Sequence, residues 1–382
     1  MFKKNTFVLI VGTLLAAILT ASYTECSSIQ QGTSANPYLV TTAEDLAMVG
    51  KGLADTPYQD WTLDKHYKQT ANITLSGGWT PIGTGVIQSG PHDFAIFEKD
   101  PFTGSYDGGG FTITGLTINL PSIDFLGLFG CITEKGVVMN VVLINANVSG
   151  NSNCTGGVVG ANKGTVKNCS FSGSVSGRAY TGGVVGVNWD GGTLKNCYSA
   201  GNITGIDGTG GVAGGNEYRS TMQNCYSTGT VSGVRQTGGV LGRNLDSVLE
   251  NCYSTCVVNF TGGPAGGVAG GVAGWNGGTV QNCAALNTAI KGTQDAGRIT
   301  GYINEFNGVL NGNYARKDLT KFTKEAAANG NANGKDGADI AASSYNNKNF
   351  WTKELLFQFG TGEASPWKWD NAAKLPKLFF EK

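Results

Sequence analysis

The sequence predicts an all-β protein built as a parallel β-helix of about seven coils, with mixed α/β caps at both ends. Three observations support this fold. A pattern recurs with a period near 28 residues, which is typical of stacked supersecondary units. No stretch inside a unit offers ten residues of helical periodicity without glycine. Each unit instead holds short β-branched runs bounded by Gly, Asn or Ser, and three strands with three turns fit its length at roughly 3.3 Å per residue.

Each repeat opens with a Gly-Gly-Val-x-Gly segment and closes with Asn-Cys twelve to fourteen residues later. The openings begin at Gly156, Gly182, Gly210, Gly238 and Gly270. The closing pairs are Asn168-Cys169, Asn196-Cys197, Asn224-Cys225, Asn251-Cys252 and Asn282-Cys283. Degenerate openings at Gly127 and Gly297 bring the number of units to seven. The longest unit contains the insertion 262–265, which we expect to bulge from one corner.

Composition excludes several classes of protein. Of the 382 residues, 40% are hydrophobic and 14% are charged, which is enough apolar material for a core and argues against disorder. The 60 glycines do not recur at every third position, as collagen requires. The formal net charge is zero, whereas nucleic-acid-binding proteins usually carry a basic face. We therefore predict no nucleic-acid partner.

The N-terminus has the features of an export signal over residues 1–25. Lys3 and Lys4 precede an apolar run at 7–19, which is shorter than the roughly 20 residues of a membrane span. We expect an exported protein at the cell surface, in the outer membrane or secreted. Cys26 is a lipidation candidate, and such an anchor would be the route to a membrane. The alternative is ordinary signal cleavage near Ser22.

The repeats at 126–315 are flanked by segments that we interpret as caps, because a solenoid without caps exposes unpaired strand edges. In the lead-in, 34–125, Thr41 and Glu44 have capping-box spacing before a short amphipathic helix with Leu46, Val49 and Leu53 on one face. The segment 107–110, Asp-Gly-Gly-Gly, predicts a tight turn. In the C-terminal cap, 316–382, we expect a helix over 318–328 and a cluster of apolar residues near the end.

These segments resemble a known family of bacterial surface repeats. The Gly-Leu-Phe-Gly run at 127–130 and its later Gly-Gly-Val-x-Gly forms are similar to the GLUG repeat. Flanking segments at 38–46, 79–83, 102–110, 350–351, 367–370 and 375–376 resemble those around such repeats. The resemblance implies a right-handed parallel β-helix in an exported protein.

What the resemblance implies about function is narrower. GLUG repeats accompany zinc metallopeptidases that cleave immunoglobulin A, and they also occur in adhesin-like proteins without an enzyme domain. A zinc peptidase of that type needs a His-Glu-x-x-His motif, and this chain has two histidines, His66 and His92, outside such a motif. The peptidase activity does not carry over, which leaves the non-catalytic role.

The five Asn-Cys cysteines occupy one repeat position and should stack as a structural ladder about 4.8 Å apart. Their parallel Cβ vectors suit a disulfide poorly, so we expect a column of small buried thiols. Disulfides involving Cys131, Cys154 or Cys256 are the alternative. No Cys-x-x-Cys pair occurs, so we predict no metal site. The asparagines before the cysteines should form an amide ladder at a turn.

Aromatic residues provide the ligand-binding candidates. Tyr198, Tyr226 and Tyr253 follow the cysteines, so they form either an outer stripe that could stack on sugar rings or structural packing against caps. Trp189 and Trp275 follow the Gly-Gly-Val openings, where we expect turns. We therefore predict a non-catalytic protein that binds a host or environmental glycan or protein, without a cofactor.

Two alternatives remain open at this stage. Parallel β-helices also serve as lyases and hydrolases of polysaccharides, but such chemistry needs paired carboxylates, and the acidic residues occupy different phases of the repeat. These residues are Asp190, Asp207, Glu217, Asp246 and Glu250. The other alternative is a structural spacer of the cell envelope without a specific ligand.

Overall fold

The chain winds into a parallel β-solenoid in the computed structural model, which describes residues 30–89, 94–151, 153–262, 267–291, 296–321 and 330–381. The all-β parallel fold predicted from the repeats is confirmed. The export signal, Cys26 and most of the insertion at 262–265 lie outside the described residues.

The lead-in holds one helix and the first strands. Its elements are β1 (Tyr38–Val40), α1 (Ala43–Met48), β2 (His66–Gln69), β3 (Ile73–Thr74), β4 (Thr84–Ser89), β5 (Phe94–Asp100), β6 (Ser105–Asp107), β7 (Thr112–Thr114) and β8 (Thr117–Asn119).

The repeat array holds strands β9 to β35. The first half contains β9 (Phe129–Ile132), β10 (Val137–Met139), β11 (Val142–Ser149), β12 (Asn153–Gly156), β13 (Val159–Asn162), β14 (Thr165–Lys167), β15 (Ser170–Ser176), β16 (Ala179–Gly182), β17 (Val185–Trp189), β18 (Thr193–Lys195), β19 (Tyr198–Thr204), β20 (Asp207–Gly210), β21 (Ala213–Glu217) and β22 (Thr221–Gln223). The second half contains β23 (Tyr226–Gly233), β24 (Gln236–Gly238), β25 (Leu241–Glu250), β26 (Tyr253–Ser254), β27 (Val257–Phe260), β28 (Val268–Gly270), β29 (Ala273–Gln281), β30 (Ala284–Ala285), β31 (Ala289–Lys291), β32 (Ala296–Gly297), β33 (Thr300–Ile303), β34 (Val309–Asn311) and β35 (Tyr314–Arg316).

The C-terminal segment contains β36 (Thr320–Lys321), β37 (Ala338–Ile340), α2 (Ala342–Tyr345), α3 (Lys348–Lys353), β38 (Phe359–Gly362), β39 (Ser365–Asp370) and β40 (Leu375–Leu378). The helix expected over 318–328 is corrected in its first part, because β36 occupies 320–321 and pairs with β31. Most of the remainder of that expected helix lies outside the described residues.

Each regular coil contributes four strands, where the sequence predicts three. The coil from 179 to 204, for example, runs through β16, β17, β18 and β19. Strands at equivalent positions pair in parallel into one 15-stranded, one 14-stranded and one 6-stranded sheet. The extra strand arises because the residues after the Gly-Gly-Val opening and the residues before Asn-Cys form two separate short strands. In two coils a single long strand, β25 or β29, spans both positions and joins the two sets of strands into one sheet.

The solenoid has about ten turns, which corrects the expected seven. The difference comes from the flanks. In the lead-in, β3 and β7 pair in register below β11 and so start the same stack as the repeats. At the other end β37 pairs with β35 and adds a strand above the last repeat. These segments lack the Gly-Gly-Val signature but still follow the same winding.

The lead-in helix begins one residue later than the sequence spacing suggests. Thr42 is the N-cap: its hydroxyl accepts from the Asp45 N–H, and the Asp45 carboxylate accepts from the Thr42 N–H. The predicted Thr41–Glu44 pair is therefore wrong, and Thr42–Asp45 forms the capping box. Leu46 and Val49 are buried as expected, whereas Leu53 is 47% exposed and lies beyond the helix.

The tight turn expected at 107–110 is confirmed, since Gly109 and Gly110 adopt positive φ angles of 60° and 72°. The second glycine of each Gly-Gly-Val opening has another reason to be there. At Gly183 a Cβ atom would clash with the carbonyl oxygen of Gly211 in the next coil. Glycine at this corner therefore allows neighbouring coils to stack closely.

The main apolar core runs along the axis. It is built from columns of one residue per coil, for example Val138, Val166, Leu194, Met222, Leu249 and Val280. Every member of this column is fully buried. Polar backbone groups of the strands are satisfied by neighbouring coils, so each turn is stable only in the stack.

Candidate functional site

Three of the five asparagines of the Asn-Cys pairs form the predicted ladder. The φ angles of all five lie between 52° and 53°, a left-handed conformation that Asn tolerates better than most residues. Asn196 donates from Nδ2 to Asn168 Oδ1 at 3.1 Å, and Asn168 donates to Asn140 Oδ1 at 3.1 Å. Asn224 donates in the same direction to Asn196, whereas the buried Oδ1 of Asn251 has no hydrogen-bond partner within the described residues. The ladder therefore joins the four successive coils from Asn140 to Asn224.

A second asparagine ladder lies inside the solenoid and was missed by the sequence reasoning. Its members come two residues after the last glycine of each opening, and all are fully buried: Asn162, Asn188, Asn216, Asn244 and Asn276. Asn188 Nδ2 donates to Asn216 Oδ1 at 2.9 Å, and Asn162 Nδ2 donates to Asn188 Oδ1 at 2.6 Å. The recurrent Gly-x-Asn triplet is the signal that could have revealed this ladder.

The five cysteines of the Asn-Cys pairs are all buried. All eight cysteines of the described residues are buried thiols, which favours the thiol column over the disulfide alternative. Cys169, Cys197 and Cys225 belong to the main core, and each of these thiols lies 3.2 Å from a carbonyl oxygen two residues earlier in its own chain. Burial raises the pKa of the Cys154 thiol well above its ordinary value.

The tyrosine candidates form a continuous outer stack. Tyr198 and Tyr226 have ring centroids 5.1 Å apart, and Tyr226 and Tyr253 lie 4.8 Å apart with nearly parallel planes. Tyr226 and Tyr253 are only 5% and 2% exposed. This burial corrects the exposed aromatic stripe for these two residues and agrees with the alternative of structural packing against a cap.

The covering element is the C-terminal cap, formed by α2, α3 and the antiparallel sheet β38–β39–β40. Trp367 is fully buried between Phe357, at 4.6 Å, and the tyrosine stack. Its indole N–H donates to Asn224 Oδ1 at 3.3 Å. The Tyr253 hydroxyl donates to the Pro376 carbonyl at 2.6 Å. The cap is thus attached by both apolar and polar contacts.

Trp189 lies at the end of strand β17, not in a turn. It is 8% exposed and packs against Tyr218 with ring centroids 4.5 Å apart. With Phe125 and Val187 it fills an apolar cluster outside the main core. Its register partner in the next coil is Glu217, so it does not share a column with Trp275.

Trp275 lies in strand β29 and is partly exposed. Its ring stacks on Tyr302 at 6.3 Å, and the Arg243 guanidinium lies 5.2 Å from its centroid. These three residues occupy one column, and Tyr302 is 43% exposed. This aromatic column is a surface that a ligand could reach.

The carboxylates considered for catalysis make individual contacts with neighbouring side chains. Asp190 pairs with Arg219 at 2.9 Å, and Asp207 pairs with Arg235 at 3.1 Å. Glu217 is 1% exposed and lies 3.5 Å from Arg243 Nε. Burial raises the pKa of the Glu217 carboxyl above its ordinary value, against the opposing effects of Arg243 and Tyr180. Asp246 and Glu250 accept amide hydrogen bonds from Asn307 and Gln281.

A concavity among the described residues lies where the cap ends. We call it the cap groove; it has a volume of about 670 Å³. Its lining comprises Lys68, Asp107, Gly109, Gly110, Phe111, Thr112, Asn140, Val142, Ile144, Asn168, Ser170, Tyr198, Phe380 and Glu381. Of the predicted site residues, Tyr198 alone lines this groove. The floor of the groove continues the column of Tyr198 into the preceding coils, where the smaller residues Ser170, Val142 and Thr112 occupy the same position.

The cap groove has an aromatic wall at its cap side. Phe380 packs against Tyr198 with centroids 6.2 Å apart. Behind it, Glu381 accepts hydrogen bonds from the Tyr226 hydroxyl at 2.7 Å and from the Leu378 N–H at 2.6 Å. Burial raises the pKa of the Glu381 carboxyl above its ordinary value. The wall is therefore fixed by the same contacts that hold the cap.

The opposite side of the cap groove carries Phe111, which is 36% exposed and follows the glycine turn. Beside it, Asp107 Oδ1 accepts from Asn140 Nδ2 at 2.7 Å and from the Gly109 N–H at 2.9 Å. Lys68 and Asp107 also line a second hollow of about 520 Å³, so the two concavities are adjacent. Sequence reasoning missed this site because its residues come from segments far apart in the chain.

The described part of the chain contains no group of three or more His, Cys, Asp or Glu side chains placed to hold a metal ion. None of the helices within it has the length and apolar character needed to traverse a bilayer.

Three of the repeats match a known sequence family. The GLUG motif model matches residues 151–176, 177–204 and 207–232, each of which corresponds to one coil of four strands. Three coils of this chain are GLUG motifs. These GLUG coils include the central cysteines, the start of the tyrosine stack and part of each asparagine ladder. The resemblance drawn from the Gly-Gly-Val-x-Gly openings is confirmed for this part of the chain.

Two relatives match part of the chain. The chain is 34% identical over 170 residues to halomucin of Haloquadratum walsbyi, which covers 44% of this chain and 2% of halomucin. It is 33% identical over 143 residues to a protein of Evansella cellulosilytica described as a Gly-rich membrane protein, which covers 37% of this chain and 15% of that protein. The chain therefore spans a small fraction of both relatives. No solved structure matches it.

Proposed function

We propose that this chain is an exported cell-surface protein that recognises a host or environmental glycan or protein without catalysing a reaction. The GLUG coils and the names of the two relatives, a halomucin and a membrane protein, support a surface location. The export signal over residues 1–25 supports it independently.

The observation that carries the recognition role is the cap groove. It combines a volume of about 670 Å³ with aromatic rings on two sides and converging polar groups, the usual composition of a ligand site. Phe111 and Lys68 are exposed on its rim. A spacer would have no need for such a lined concavity on an otherwise regular face.

The column of Arg243, Trp275 and Tyr302 is the second candidate contact surface. Its support is the partial exposure of two stacked rings beside a guanidinium, an arrangement that suits stacking interactions. None of the three residues lines the cap groove, so substitutions can distinguish the two surfaces.

The role is tested by measuring retention of the purified chain from residue 27 onward on immobilised glycans, mucins and host matrix proteins. Reproducible retention on one class supports recognition. No retention across the panel overturns it in favour of a spacer. Release of soluble sugars from a retained polysaccharide would overturn the non-catalytic part and indicate a β-helix enzyme. A lipid-sized mass shift at Cys26 in the native host would establish an anchor.

A further inference from the structure

We propose that the cap groove binds an oligosaccharide chain that is neutral or carries few negative charges. This inference rests on the recognition role proposed above and assigns its site and its ligand class. The contributing features are the fully paired floor, the aromatic rings at two sides, and a polar set containing both donors and acceptors.

The floor of the cap groove excludes one common mode of peptide recognition. It is formed by β7, β11 and β15, and each of these strands is hydrogen-bonded to a strand on both sides. Their backbone groups are therefore occupied, and an extended peptide could not add as a further strand. A ligand in the groove must be held by side chains, which suits a molecule whose hydrogen-bonding groups are hydroxyls.

The aromatic residues are placed to hold sugar rings. Phe111 stands on one side, and Phe380 with Tyr198 stands on the other. The C–H faces of a pyranose pack on the electron-rich faces of such rings, while its hydroxyls point sideways. Val142 and Ile144 between the walls give an apolar floor for the same faces.

The polar groups can both donate to and accept from hydroxyls. Lys68 is exposed and offers ammonium donors. Asp107 accepts from Asn140 and Gly109 through Oδ1, so its second carboxylate oxygen can accept from a ligand hydroxyl. The lining of the cap groove contains one lysine, Lys68, and two acidic residues, Asp107 and Glu381. A strongly anionic polymer would gain little attraction there, which favours an oligosaccharide that is neutral or carries few negative charges.

The dimensions favour a chain over a single sugar. The floor column Thr112, Val142, Ser170 and Tyr198 crosses three coil steps, or roughly 14 Å. The adjacent hollow beyond Lys68 and Asp107 offers further room for a longer chain. Affinity should therefore increase with oligosaccharide length until the path is filled.

The test compares Phe111→Ala with Phe306→Ala in the chain from residue 27 onward. Both residues are exposed phenylalanines, but Phe306 lies between β33 and β34, outside the groove, with 92% exposure. The probes are neutral oligosaccharides of increasing length, and one mucin before and after enzymatic removal of its glycans. We expect the affinity to increase with the length of the oligosaccharide, and we expect the stripped mucin not to bind. Phe111→Ala should weaken binding about tenfold, whereas Phe306→Ala should leave it unchanged.

Each other outcome has a distinct meaning. Retention of the stripped mucin, unaffected by Phe111→Ala, would overturn the oligosaccharide inference while leaving surface recognition intact. Sugar binding that is unchanged in Phe111→Ala would overturn the assignment of the cap groove as the binding site. Should Phe111→Ala fail to fold by circular dichroism, Lys68→Ala provides the same test at an exposed position, with weaker sugar binding expected. Absence of binding to any probe would overturn the recognition role itself.

Discussion

Asp107 accepts through Oδ1 the hydrogen bond that Asn140 donates from Nδ2, at 2.7 Å. This contact ends the ladder of asparagines, because each amide donates toward the preceding coil and a carboxylate can only accept. The same Asp107 lines the cap groove. The scaffold ladder therefore fixes the position of a groove residue, which links the stability of the coils to the shape of the site.

The buried ladder predicts a strong effect of Asn188→Ala. The substitution removes an amide that donates to Asn216 and accepts from Asn162, and it leaves buried partners unsatisfied. We expect the free energy of unfolding to fall by about 2–3 kcal/mol. Urea denaturation measures this loss. Asn202→Ala, at an exposed strand position, is the matched control and should change stability by less than about 0.5 kcal/mol. Equal effects of the two substitutions would contradict the ladder's role.

The cap contacts predict that Trp367→Ala separates the cap from the tyrosine stack. The indole is fully buried and donates to Asn224, so truncation should cost about 3–5 kcal/mol. Because the tyrosine stack would then be exposed, we expect a soluble quencher to reduce tyrosine fluorescence more strongly and a hydrophobic dye to bind more. Trp369→Ala, at a partly exposed position of the same strand, should produce a smaller change. An unchanged dye signal in Trp367→Ala would show that the cap is held by other contacts.

The burial of the cysteines predicts that they react slowly with thiol reagents. Because all eight cysteines of the described residues are buried thiols, a thiol reagent should leave the native chain from residue 27 onward unlabelled on the timescale of minutes. The same chain in denaturant should take up eight labels, one for each of these residues. Mass spectrometry counts them. Fewer than eight labels without prior reduction would reveal a disulfide and contradict the thiol column.

Glu217 predicts a defined pH dependence. Its pKa is raised in the fold by burial, although Arg243 and Tyr180 oppose that rise and Asp207 adds to it. The folded state therefore holds the Glu217 proton more tightly than the unfolded state does. The stability that this proton contributes is fully present below the unfolded pKa of about 4.3, and it is lost as the pH rises through the folded pKa. We expect the stability of Glu217→Gln relative to the natural chain to increase between acidic and neutral pH. Asp370→Asn is the control of opposite sign, since hydrogen bonding from Lys377 lowers the Asp370 pKa. A difference for Glu217→Gln that stays constant with pH would contradict the assignment.

Particular residues show what sequence reasoning could reach. The Asn-Cys column and the parallel stacking followed from the repeat, because identical residues one coil apart must become neighbours. Asn162 and Asn188 carried the same kind of signal in the Gly-x-Asn triplet. The burial of Tyr226 and Tyr253 could not be inferred, since it depends on where Trp367 docks, some 110 to 140 residues away in the chain. The cap groove combines Lys68, Asp107 and Phe380 for the same reason, and no local pattern records their proximity.

The most direct test of the central claim is binding of one retained glycan by three chains measured in parallel: the natural sequence from residue 27 onward, Phe111→Ala and Trp275→Ala. The cap groove predicts that Phe111→Ala weakens binding about tenfold while Trp275→Ala binds as the natural chain does. Loss of binding in Trp275→Ala with full binding in Phe111→Ala would contradict it and place the ligand on the column of Arg243, Trp275 and Tyr302.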